Sequence, residues 1–343
     1  MSASTRATAA GTARFFLRHA GAVVADHVRR LGDLSLSSVG LGSYLAPPDD
    51  ATDLRYEAAV ARSLALGVNV VDAAIVYRHQ RSERAIGRAL RAAAAAGVGR
   101  DEVVVATKAG FLGFDGAPPP DARAYFQRVI VDAGLAGWDE IAAGGHCLAP
   151  RFLADQLARS RANLGLATID VFYLHNPETQ LDELDRATFR RRMRAAFEVL
   201  EEARAAGTIA RYGLATWFGL REPPSARVHL DLVELVELAR EVGGAGHGLE
   251  VVQAPLNPTL REAALAPTQR GRPLLAVAAD LGLYVMSSAS IMQGKLAPDA
   301  AAARAALDWT RTRPGLGTAL VGTSRAEHVE ANAGVFRLVG SGA

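Results

Sequence analysis

The chain of 343 residues contains one cysteine, Cys147, and two lysines, Lys108 and Lys295. A single thiol excludes an intramolecular disulfide framework and a cysteine-based zinc cluster. It fits a reducing compartment, so a cytoplasmic location is expected. No apolar run approaches the ~18–20 residues that a membrane-spanning helix needs, and no secretory apolar segment with a cleavage site is present. Net charge is also scarce. The 38 basic residues stand against 36 acidic ones, a formal +2, too weak a field to recruit nucleic acid or an anionic membrane. Of the 38 basic residues, 36 are arginine. In a chain this rich in Ala and Arg, a surface positive charge is written as arginine. A retained lysine is therefore a place to look for chemistry that a guanidinium cannot do. Residues 1–25 carry Arg6, Arg14 and Arg18 and no acid before Asp26. That is loosely transit-peptide-like, but the same Ala/Arg bias on an exposed tail accounts for it.

What is present is ordinary globular material, 50% hydrophobic and 22% charged. The length allows two domains or one large α/β barrel. Short aliphatic runs alternate with amphipathic helical stretches. The runs Ser38–Tyr44, Val68–Ala74, Glu102–Lys108, Ile169–Asn176, Ala210–Thr216, Glu250–Asn257, Leu283–Ala289 and Thr318–Thr323 read as strands buried on both faces. Helical patterns cover Ala51–Leu66, Glu83–Ala96, Arg151–Leu164, Phe189–Ala206, Arg227–Val242, Leu274–Leu281, Ala300–Thr312 and Glu327–Val339, several ending at glycine. Eight strand–helix pairs predict a parallel sheet closed into a (β/α)₈ TIM barrel of one domain, over residues 34–343, after an N-terminal extension of residues 1–33. An open doubly wound sheet would want a glycine-rich phosphate turn, and Gly40-Leu41-Gly42 lacks the third glycine. Two segments break the rhythm, 109–148 after the third strand and 217–226 after the fifth. Both should lie on the barrel face where such enzymes keep their active sites.

Four ionisable residues fall at that face. Asp72 ends the second strand, Tyr77 follows in the next turn, Lys108 ends the third strand and His175 the fourth. Singly, each could be a cap, a packed ring or a satisfied core group. Together, a Lys, an Asp and a His at the ends of neighbouring buried strands must be paired or desolvated. They make sense as a device for delivering a proton to an oxygen. A free phenol has a pKa near 10, high for acid catalysis at neutral pH. A nearby ammonium would lower it, Asp72 could hold that ammonium, and His175 could orient a substrate carbonyl.

The sequence resembles the aldo-keto reductase superfamily over essentially its whole length. The resemblance rests on Leu36–Tyr44, Asn69–Gly87, Val103–Gly110, Phe152–Pro177, Gly207–Trp217 and Ala319–Asn332, in order and spacing as well as in residue type. It implies that Asp72, Tyr77, Lys108 and His175 are the catalytic set, and that a nicotinamide cofactor lies extended across the barrel mouth. Contacts to its carboxamide would fall on Thr216 and Gln253, and the residue beside the nicotinamide on Ser288, where an aromatic is more usual. The adenosine-phosphate segment maps to Gly322, Ser324, Arg325, His328 and Asn332. Arg325 and Ser324 could hold a 2′-phosphate, which favours NADP(H), with NAD(H) the alternative. Lys295 is placed to meet the pyrophosphate, with a solvated loop charge as the alternative.

Tyr44, Phe111 and Trp217 are candidates for the substrate pocket. The 109–148 loop, with Phe111, Phe114, Tyr125, Phe126, Trp138 and His146, is expected to cap it, because the chain stops at Ser341-Gly342-Ala343 without a long tail, while most of these aromatics are expected to pack on one another within the loop. His146 and Cys147 have no further ligands nearby in sequence, so no metal is expected. The function expected is reduction of an aldehyde or ketone by hydride transfer, or the reverse oxidation of an alcohol, on a small-molecule substrate. The alternative is a cofactor-binding regulatory or partner-binding protein with little catalysis.

Overall fold

A computed structural model describes residues 5–338. Residues 1–4 and 339–343 lie outside it, among them Val339 and the terminal Ser341-Gly342-Ala343. Eight parallel strands form one closed barrel: β1 Val39–Gly42, β2 Val70–Asp72, β3 Val104–Ala109, β4 Ile169–His175, β5 Ile209–Ala215, β6 Leu249–Pro255, β7 Tyr284–Ser288 and β8 Thr318–Gly322, with β8 pairing back to β1. The expected (β/α)₈ barrel is the observed fold, and every expected strand is present within one or two residues at each end.

The helices that follow the strands are α1 Asp50–Ala65, α2 Arg81–Ala95, α3 Pro150–Leu164, α4 Arg186–Ala205, α5 Leu232–Gly243, α6 Leu274–Asp280, α7 Ala300–Arg311 and α8 Ala326–Ala333. Aspartates at the N-caps of α1, α4, α5 and α7 accept backbone N–H groups of the first turn, which satisfies donors the helix itself cannot. This chemistry moves one boundary. Helix α5 begins at Leu232 rather than Arg227, because Asp231 takes the amides of Val233 and Glu234 at 2.8 and 3.2 Å.

Strand side chains alternate between two cores. Val71, Val105, Phe172, Leu174 and Val252 point outward and pack with Val60, Leu64, Ile86, Leu153 and Phe197 of the helices. Val70, Val104, Ala106, Val171, Tyr173, Val251 and Met286 point inward. The buried Tyr173 ring needs room, and Gly213 provides it, since a Cβ there would stand 2.7 Å from the ring.

The N-terminal segment closes the lower end. A helix at Ala9–Arg18 and a hairpin of Val28–Leu31 with Leu34–Ser37 cross beneath the barrel. Ala7, Leu31, Leu34 and Leu36 join the interior cluster, and the amide of Ala7 donates to Asp170 Oδ1 at 2.7 Å. The barrel is plugged from below, so its opening is at the C-terminal ends of the strands. No described helix is long and apolar enough to cross a membrane.

Candidate active site

The period of two builds the floor of that opening. Asp72 is two residues above inward-facing Val70, Lys108 above Ala106, His175 above Tyr173, Gln253 above Val251 and Ser288 above Met286. The same alternation that packs the interior therefore lifts Asp72, His175, Gln253 and Ser288 to the mouth, with Lys108 buried below them.

Asp72 and Lys108 form an ion pair, Nζ to Oδ2 at 2.5 Å, and Nζ also donates to the carbonyl of Ala73 at 2.8 Å. Both side chains are buried. The second carboxylate oxygen of Asp72 accepts from Gln253 Nε2 at 3.0 Å. Burial lowers the pKa of Lys108, opposed by Asp72 and then Glu83. Its Nζ is 5.0 Å from the centroid of the Tyr77 ring.

The Tyr77 ring meets His175 edge-on at 5.8 Å and Tyr44 at 5.0 Å. Burial pushes the Tyr77 phenol well above its usual pKa, and the Asp72 carboxylate pushes it the same way. This corrects the expectation that Lys108 lowers that pKa. Desolvation and the Asp72 carboxylate outweigh the ammonium, which still lies 5.0 Å from the ring centroid. His175 is held well below the usual imidazole range by burial, then by Lys108 and His146. Its ring is neutral at physiological pH. Nδ1 is buried without a partner, which leaves Nε2 for a ligand.

The turn that carries Tyr77 is strained. Arg78, His79 and Gln80 all have positive φ, 50°, 56° and 70°, a left-handed run that costs energy in non-glycine residues. Buried Arg78 holds it. The guanidinium donates to Asp53 at 2.6 Å and to the carbonyls of Pro47 and Asp49 at 2.9 and 3.1 Å, and it lies over the Tyr56 ring. Sequence reading missed Arg78 because one arginine among 36 carries no signal.

A cavity of about 460 Å³ opens above the floor. Asp72, Tyr77, His175, Thr216, Gln253, Ser288 and Gly322 line it, as do Tyr44, Phe111 and Trp217. Lys108 lies beneath it, behind Asp72. Ser324, Arg325, His328 and Asn332 do not line it. They follow Gly322 on the β8–α8 connection and α8, with Arg325 and His328 exposed and Asn332 buried. Lys295 is exposed on the loop after β7.

Of the 109–148 loop, only Phe111 reaches the cavity. The rest folds on itself, as expected for most of its aromatics, rather than capping the cavity. A short helix Ala122–Phe126 runs into a π-helical turn, and Ile141–Ala142 pairs with His146–Cys147. Ile130, Ala136 and Cys147 bury against Phe152 of α3, with Phe126 and Ile141 at their edge. Phe114, Tyr125 and Phe126 pack on one another beside that core.

Glu178 was not singled out in the sequence. Its buried Oε1 accepts the amides of Trp217, Phe218 and Gly219 at 2.7, 2.9 and 3.1 Å. One carboxylate thus fixes the loop that brings Trp217 to the mouth.

Comparison with known proteins agrees with this architecture. A D-threo-aldose 1-dehydrogenase of a Pseudomonas species is 31% identical over 155 residues, which span 44% of this chain and 40% of that protein. An aldo/keto reductase from Klebsiella pneumoniae, solved in complex with NADP and acetate, superposes with a TM-score of 0.60 at 20% identity, covering 91% of this chain and 90% of that one. An aldo-keto reductase from Bacillus halodurans in its holo form gives 0.60 at 17% identity, covering 90% of each chain. At such identities the structures establish the shared fold. The model of the Aldo/keto reductase family matches residues 39–222, more than half of the sequence, and the chain belongs to that family.

Proposed function

We propose that this protein is an oxidoreductase that reduces an aldehyde or ketone to the alcohol, with Tyr77 as general acid and NADP(H) as cofactor. The observation that carries this reading is the convergence of Asp72, Lys108, Tyr77 and His175 at the floor of one cavity.

The residues present suit a nicotinamide cofactor. Thr216 Oγ1 is buried at the cavity without a hydrogen-bond partner, the kind of group a carboxamide would satisfy. Gln253 stands beside it. Arg325 is exposed and makes no ion pair with another described residue, so it is available to a 2′-phosphate, with Ser324 and Asn332 nearby in the chain. His328 and Gly322 belong to the same segment, and Ser288 lines the cavity without supplying a stacking ring. Similar folds solved with NADP or NADPH support the phosphorylated cofactor. When bound, the reduced nicotinamide supplies hydride to a carbonyl carbon.

The protein's part is the proton. With its pKa raised, Tyr77 holds its proton at neutral pH. His175 Nε2 donates to the carbonyl oxygen and orients it toward the phenol. As the oxygen gains negative charge, Tyr77 transfers its proton there, and the phenolate left behind is stabilised by the Lys108 ammonium, itself fixed by Asp72. Solvent at the mouth returns the proton. Tyr44, Phe111 and Trp217 give the substrate side an aromatic wall.

The same residues serve the reverse oxidation, and a relative named for aldose dehydrogenation supports testing it. The test is cofactor oxidation with a panel of aldehydes and ketones, and cofactor reduction with alcohols and aldoses. Cofactor turnover with at least one panel is expected. Tight cofactor binding with no turnover on either panel would instead favour a regulatory, cofactor-binding role.

A further inference from the structure

We propose that His146, contributed by the 109–148 loop, is a positioning residue for His175. It holds the His175 main chain at the end of β4 through a one-way chain of hydrogen bonds that begins at Arg192 on α4. This rests on the reading of His175 as the group that orients the substrate carbonyl.

The direction of the chain follows from which groups can donate. A guanidinium only donates, and Arg192 Nη1 lies 2.6 Å from Gln180 Oε1. The amide oxygen of Gln180 therefore faces Arg192, and its NH₂ faces His146. That NH₂ donates to His146 Nδ1 and to the His146 carbonyl, both at 2.9 Å. Nδ1 must then be the unprotonated nitrogen, and Nε2 carries the hydrogen. Nε2 lies 2.8 Å from the carbonyl oxygen of His175 and donates to it.

The surroundings are built for this contact. His146 is fully buried and meets the Phe111 ring edge-on at 4.8 Å, while Phe111 meets the His175 ring at 5.3 Å. Gly110 has φ +138°, and a Cβ there would lie 2.9 Å from His146 Nε2 and 3.2 Å from the His175 oxygen. A side chain at position 110 would wedge the two apart. Arg192 also donates to the carbonyls of Asp139 and Glu140, so the loop that carries His146 is tied to the same cation. At position 176 the strand ends in a left-handed residue, Asn176, with φ 48°. The amide of the peptide between His175 and Asn176 still donates to the Ala215 carbonyl of β5 at 2.6 Å, and His146 takes its oxygen. Burial depresses the His146 pKa to about 4, consistent with the neutral ring the chain requires.

The test compares wild type, His146→Phe and His146→Gln. Phe keeps the bulk and can neither donate nor accept, whereas Gln can donate to the His175 carbonyl. Expected for His146→Phe is a kcat at least tenfold lower, with NADPH affinity within twofold of wild type. Expected for His146→Gln is recovery of most of that loss. Wild-type kcat in folded His146→Phe, or an equal loss in His146→Gln, overturns the proposal. Should His146→Phe not fold, Gln180→Met decides. It removes the donor that sets the tautomer, and several-fold lower kcat is expected, while wild-type kcat overturns the proposal. Imidazole ¹⁵N spectra give a readout apart from turnover. In wild type, His146 should appear as the neutral Nε2–H tautomer, and its replacement should shift the His175 ring signals. Unmoved His175 signals count against His146 positioning. Expected shifts in a wild-type protein that turns over no substrate count against the catalytic reading alone.

Discussion

Gln253 donates its amide to Oδ1 of Asp72 at 3.0 Å from 181 positions away in the chain, while Lys108 occupies Oδ2 at 2.5 Å. The carboxylate is thus held from both sides, and the ammonium it carries has one place to sit below Tyr77. A broad guanidinium has no such place. Lys108→Arg should fold, bind NADPH within a fewfold of wild type, and lose at least 100-fold in kcat. Steady-state kinetics with a cofactor titration checks this.

Asp72→Asn should act on stability too. It leaves a buried ammonium facing a neutral amide, and breaking a buried pair by removing one partner costs about 3–5 kcal/mol. A urea midpoint well below that of wild type is expected.

Tyr77→Phe removes the proton while keeping the ring that packs against Tyr44 and His175. General acids contribute roughly 10²–10⁴-fold, so kcat should fall by that order with cofactor affinity unchanged. Turnover equal to wild type would refute the assignment of Tyr77.

Glu178→Leu frees three backbone amides from their common acceptor and loosens the loop that presents Trp217. The expected signature is a KM raised about tenfold, with a smaller change in kcat. Glu178→Gln keeps one acceptor oxygen and should change KM by less than threefold. Substrate titrations of the two variants separate a wall that positions substrate from a residue that acts in the chemistry.

His27 is buried between Ser38 and the carbonyl of Gly67, stacked on Phe336, and burial lowers its pKa to about 4. The unfolded chain binds a proton near pH 6.5 that the folded protein refuses until about pH 4. Stability is therefore full above pH 6.5 and falls as the pH drops toward 4, by roughly 3 kcal/mol for a shift of this size. His146 behaves in the same way. Urea midpoints measured from pH 7 to pH 4.5 should decline, and His27→Gln should flatten the slope by about one proton.

Much of this protein is legible from local pattern. Strand runs buried on both faces and helices capped by aspartate are short-range signals, so the eight repeats and the barrel could be read directly. Asp72, Lys108 and His175 were visible because ionisable groups at the ends of apolar strands stand out, and Lys108 more so because lysine is rare here. Arg78, Glu178 and Gln180 were not visible, and His146 stood out only as a loop residue, not for its part at His175. Each acts through a partner distant in sequence, such as Glu178 with the amides of residues 217–219 and Arg78 with Asp53. Nothing local marks Arg78 among the other arginines. The N-terminal plug escaped for a related reason, since Leu31, Leu34 and Leu36 make sense as buried residues only once the barrel above them exists.

The sequence by itself determined the alternation of strand and helix, and hence which side chains stand at the strand ends. The tertiary structure alone decided the electrostatics of the site and the use of the long loop. Closing the barrel brought Lys108 and Gln253 onto Asp72 and desolvated Tyr77, which reverses the direction of its pKa shift from the one the residue list suggested. It also packed Phe114, Tyr125 and Phe126 on one another, leaving Phe111 at the cavity and His146 against His175. Both outcomes depend on distances between residues far apart in the chain, because Coulomb and desolvation energies are set by what a group finally lies against.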